Sequence, residues 1–161
     1  CRRYIFCDID RRKRHEIHAV HELLKLLRRR LKRETGFADA ARTEQGEQPG
    51  ACGVWSPKQV LAHCSGWNVE ALRRYDQYAA GDATPVHYDF DSFNAKSVED
   101  RAHLNWQATV QEVIDTAGAL YQRSRSLPDE AQLNDPRHAE WLTALADDCR
   151  DHTEQLKAFV Q

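Results

Sequence analysis

Apolar residues recur at intervals of three and four in four separate segments of this chain, and no stretch alternates with a period of two strongly enough to make a strand. That pattern confines the fold to packed helices. In the first segment, about residues 13–34, Ile17, Val20, Leu24, Leu27 and Leu31 form one stripe. Residues 35–54 then contain Gly36, Gly46, Pro49, Gly50 and Gly53 and read as a loop. The second segment opens on a strong start signal. Ser56 can cap it, Pro57 suits the first helical position, and Gln59 completes an S-x-x-Q capping box. It is expected to run to about Ala80 and end at Gly81.

Residues 82–96, DATPVHYDFDSFNAK, mix Pro, Asp and aromatics and read as a long ordered crossing loop. Ser97 with Asp100 offers a second capping pair. A third helix is therefore expected from Val98 to about Ser126, with Val110, Val113, Ala117, Leu120 and Tyr121 inward. Leu127-Pro128 stops it, and Asp135-Pro136 introduces a fourth from about Arg137 to the end. Four amphipathic helices with these connections predict an all-α fold, a four-helix bundle forming one domain over residues 1–161, with residues 1–12 poorly ordered.

Composition narrows the function. A chain of 161 residues with 41% hydrophobic and 30% charged residues suits one domain with a modest core. No apolar run approaches a membrane span, and no signal-peptide pattern opens the chain. Five cysteines without framework spacing argue against a disulfide scaffold and for a reducing compartment, so the expected location is the cytoplasm. Residues 1–33 carry twelve Lys/Arg against four Asp/Glu, but few aromatics interleave with them. A solvated basic face is the better reading, and nucleic acid is not an expected partner.

Two helices carry the candidate chemistry. On the second, Val60, His63, Trp67 and Ala71 share a stripe, which turns His63 inward. An inward histidine alone is more often a core residue than a ligand. On the fourth, Leu145, Asp148, His152, Leu156 and Phe159 share a stripe, so an apolar face carries a carboxylate and an imidazole one turn apart. A buried aspartate needs a cationic partner. That partner is a metal ion, or an arginine such as Arg101 or Arg150.

His63, Asp148 and His152 would present two nitrogens and one oxygen and leave coordination positions open. Ligand types alone do not select the metal: zinc is put first, but a facial two-His, one-carboxylate set also suits ferrous iron, and nickel is a further alternative. Cys149 points about 100° around the helix from Asp148 and ranks behind it as a ligand. His15, His18 and His21 lie among Arg, Lys and Glu and read as solvated. There is no paired Glu-x-x-His, Cys-x-x-Cys, phosphate loop or G-x-S-x-G elbow. Trp67 and Trp106 are candidates for pocket walls, against the plainer reading of both as core. Arg101 is the candidate to hold a carboxylate of a small-molecule substrate at the pocket mouth.

WSPKQVLAHCSGW (residues 55–67) resembles the W-S-x-K-[DQ]-x-[LV]-x-H-[LI]-x-x-W segment of the DinB-like superfamily. That group includes the mycothiol-dependent maleylpyruvate isomerase-like and bacillithiol transferase-like proteins. DFDSFNAKSVEDR is similar to the family's D-x-F-N-x-x-x-V-x-x-R stretch, and DCRDHTEQLKAF to its closing H-Y-x-x-H-x-x-Q-[IL] segment. Order and spacing agree over roughly residues 49–161. The resemblance implies a four-helix bundle in which one histidine of the second helix and two of the fourth hold a divalent metal. It further implies a low-molecular-weight thiol such as mycothiol or bacillithiol, used in transferase, isomerase or hydrolase-like chemistry. Separately from the resemblance, a homodimer is the assembly to test. His63 and His152 keep the ligand identities, while Asp148 stands where the family usually has histidine. The rival reading is a metal-free protein that binds or sequesters a small molecule on the same bundle.

Overall fold

The computed structural model describes residues 44–82, 84–126 and 136–159. The expected first helix with its three histidines, the basic segment, residues 1–12 and the Leu127-Pro128 stop lie outside them. The described residues are mostly helical and contain no strand. Helix α1 spans Pro57–Ala79, α2 Phe90–Glu99, α3 Trp106–Ser126 and α4 Pro136–Phe159, and residues 44–47 are also helical. No helix among the described residues is long and apolar enough to cross a membrane.

α1 begins as its sequence dictates. Ser56 Oγ accepts from Gln59 N at 3.3 Å, and Gln59 Oε1 accepts from Ser56 N at 2.9 Å, so both halves of the capping box form. Such a cap contributes about 1 kcal/mol. A tight turn sets the entry angle: Trp55 N donates to Cys52 O, and Trp55 O accepts from Gly50 N and Ala51 N. Gly50 and Gly53 supply the left-handed φ values of 110° and 59° that this turn requires. Gly81, with φ 78°, follows the last turn of α1.

The other three helices all pack on α1, α3 most extensively, then α2 and α4. For that reason α1 is buried on more than one face. Val60, Leu61 and Cys64 join Ala51 and Val113 in the core, with Trp106, Val110, Ile114, Leu156 and Phe159 packed around them. Trp106 lies in this core and closes over Gly46, so of the two candidate tryptophans it is the one that is plain packing.

The segment between α1 and α3 differs from the sequence expectation. Residues 90–99, expected as crossing loop and helix start, form α2, capped by Asp89, whose carboxylate accepts from Ser92 N. Ser97 is buried inside α2 and caps nothing. α3 starts at Trp106, eight residues later than Val98, and Asn105 Oδ1 accepts from Ala108 N at its first turn. Gly66 explains how α2 lies so close to α1: a Cβ there would fall 2.5 Å from Ser97 Cβ.

Candidate metal centre and adjoining cavity

His63 sits two turns into α1, only 3% exposed, with the Trp55 ring 5.2 Å away. Across from it α4 presents Asp148 and His152 on one face, as their spacing of four requires. His63 Nε2 lies 3.3 Å from Asp148 Oδ2, and His152 Nε2 lies 3.5 Å from Asp148 Oδ1. The two imidazole rings meet edge to face with centroids 5.0 Å apart. One ligand atom from each of the three residues falls within 4.8 Å of the others. The structure thus brings together the three residues singled out from the sequence, and as a group they can hold a metal ion.

The proton positions matter here. His152 Nδ1 is 2.7 Å from Gln155 Oε1, and with that amide oxygen accepting from Nδ1 the neutral ring carries its lone pair on Nε2. That lone pair faces the Asp148 carboxylate, another acceptor. Two acceptors face each other only when something positive, a proton or a metal, lies between them. Among the described residues His63 Nδ1 is buried with no hydrogen-bond partner, and Asp148 is the group that orients the ring by hydrogen bonding.

Either cation has a characteristic spacing. A charge-assisted N–H···O bond is ordinarily about 2.7–2.9 Å long. Ligand atoms about 2.0–2.1 Å from a tetrahedral zinc lie about 3.3–3.4 Å apart. The 3.3 Å from His63 and the 3.5 Å from His152 end on different oxygens of Asp148, a spacing with room for either a proton or a metal ion between the groups.

Burial works against charge on Asp148. The bond from His63 and the charges of His152 and His63 outweigh it and hold the carboxyl below its usual range. No arginine answers Asp148 among the described residues. Arg150 pairs with Asp147 at 2.7 Å. Arg101 Nε meets both oxygens of Glu112 at 3.0 Å, and its Nη1 donates to Ser97 O. Arg101 therefore ties α2 to α3 and is absent from the walls of the cavity described next. Cys149 is hydrogen-bonded to Cys64, whose thiol is pushed up by that bond and by burial.

A cavity of about 440 Å³ opens beside the cluster. His63 and Trp67 of α1 and Asp148 and Leu145 of α4 form part of its wall, and Tyr88, Phe90 and Asn94 complete it from α2 and its approach. Trp67 was a wall candidate; the other three were missed. The signal was present in the spacing of Phe90, Phe93, Asn94 and Ser97, which share one face of a helix once Asp89 is read as its cap. Tyr88 is held by its hydroxyl, which donates to Glu70, and burial with that bond raises the phenol to about 12.

Compared with known proteins, the chain matches no family model, no curated protein and no solved structure.

Proposed function

We propose that this chain is a metal-dependent enzyme of the DinB-like type, a four-helix bundle in which His63, Asp148 and His152 hold zinc beside a small-molecule cavity. The observation that carries the reading is the pair of imidazole Nε2 atoms converging on one carboxylate at 3.3 and 3.5 Å, next to an open cavity. A bound zinc would supply a positive charge that lowers the pKa of a thiol or water and so makes a nucleophile available at neutral pH. Gln155 Oε1 faces His152 Nδ1, an arrangement that favours the tautomer with Nε2 free, the usual support for a ligating histidine. Asp148 brings a negative charge to the set, and His63 is shielded from bulk water by Trp55 and the core. The resemblance in the three motifs supports a low-molecular-weight thiol as co-substrate and transferase, isomerase or hydrolase-like chemistry. The cytoplasm is the location proposed with it.

The rival, a metal-free small-molecule binding protein, would keep the cluster as an aspartate flanked by charged imidazoles. One substitution separates the two. If Asp148 is a ligand, Asp148→His should keep or strengthen zinc binding in protein purified without a histidine tag, because imidazole suits zinc well. Asp148→Ala should weaken it. If Asp148 only neutralises two imidazolium rings, Asp148→His crowds three like groups, and the variant should melt lower and take up no zinc. That second result would remove the enzyme reading.

A further inference from the structure

The cavity wall carries a second set of residues with its own chemistry. Trp67, Tyr88, Phe90 and Phe93 form one aromatic group, with Trp67 5.3 Å from Tyr88, 5.7 Å from Phe90 and 4.1 Å from Phe93 between ring centroids. Phe90 is 63% exposed, a large apolar side chain left at the rim. The Tyr88 hydroxyl is drawn to Glu70, so the phenol gives this wall ring surface more than polarity.

Asn94 is the polar exception. Its Oδ1 accepts from Trp67 Nε1 at 2.9 Å. An indole N–H can only donate, so the amide oxygen must face Trp67 and the NH2 group must face away from it. The orientation of this amide is therefore fixed by chemistry, and because Asn94 lines the cavity, its NH2 group is the donor this residue has to offer there. No Lys or Arg lines the cavity among the described residues, and Asp148 does line it. Among these residues a carboxylate ligand would meet a carboxylate and no guanidinium or ammonium group.

We infer that the cavity takes a small uncharged molecule with a flat apolar body and an acceptor oxygen, such as an aryl ketone, amide or ester. The body lies against Trp67, Tyr88 and Phe90, and the oxygen accepts from the Asn94 amide. A volume of about 440 Å³ accommodates a ligand of one or two rings. This specifies the substrate class of the cavity proposed above and rests on that reading for its chemistry, though not for binding.

Acetophenone and cumene serve as probes. They have nearly the same shape, and only acetophenone carries an acceptor oxygen. The quantity to read is the ratio of their affinities, by calorimetry or ligand-observed NMR, in metal-stripped and zinc-loaded protein. Asn94→Asp keeps an oxygen for the Trp67 indole and removes the donor. The ratio is expected to fall about tenfold in this variant, the worth of one hydrogen bond, with cumene affinity changed by less than about threefold. A melting curve checks that the variant is folded, and Asn94→Ala, which also lacks the donor, gives the same reading if the aspartate is not tolerated.

A ratio that stays constant in both variants, or a wild-type protein that binds neither probe, overturns the inference. The two proposals fail separately. A ratio that falls in protein unable to take up zinc removes only the metal reading. Zinc uptake with a constant ratio removes only this one.

Discussion

At Glu70 a carboxylate sits under the aromatic wall and stays charged. Burial opposes that charge, but the bonds from Arg73 and Tyr88 and the charges of Arg73 and Arg74 prevail and lower its pKa. A carboxyl with a lower pKa folded than unfolded adds stability above its unfolded value, about 4.3, and loses it as pH falls through the folded value. Glu70→Gln is therefore expected to cost about 2 kcal/mol at neutral pH. The gap between variant and wild type should close as pH drops below about 4. Denaturant melts of both proteins from pH 3 to 7 read this, and a gap independent of pH would show that the charge contributes nothing.

Also at this scale, the three cluster residues were legible because each is a polar side chain on an otherwise apolar helical stripe. Asn94 and Tyr88 were not, because their roles depend on Trp67 and Glu70, which are 27 and 18 residues away in sequence. Arg101 was expected at the cavity and is taken up by Glu112 instead, a pairing that no local pattern announces.

Among the elements, α1 was readable to within a residue or so at both ends, since its start is written in a local capping box and its end in a glycine. α2 was not. Ten residues make too short a helix to be stable by itself, and its stability comes from tertiary contact. Phe93 stacks on Trp67, and Ser97 sits against Gly66.

Gly66 is the residue on which this packing turns. Alanine normally gains about 1 kcal/mol over glycine in a helix interior. Here its Cβ would meet Ser97 Cβ at 2.5 Å, and α2 would have to shift. Gly66→Ala is expected to be net destabilising by about 1–3 kcal/mol, the usual cost of overpacking. Because Asn94 rides on α2, the same variant should also weaken acetophenone binding. A variant more stable than wild type in a denaturant melt would contradict the close approach of the two helices.

For the molecule as a whole, α1 is the common support. It carries His63 toward α4 and Trp67 toward α2, one turn apart, so the metal cluster and the aromatic wall share one cavity. The all-α class followed from periodicity alone. The joining of His63 to Asp148 across 85 residues did not, because it needs α4 to dock on α1. The central claim is that this junction holds a metal ion, and a zinc titration of metal-stripped, tag-free protein tests it most directly. The account predicts one equivalent bound, a melting temperature that rises with zinc by mass action, and loss of both effects in His63→Ala and His152→Ala. Failure of the wild-type protein to bind zinc, or undiminished binding in both alanine variants, would contradict it.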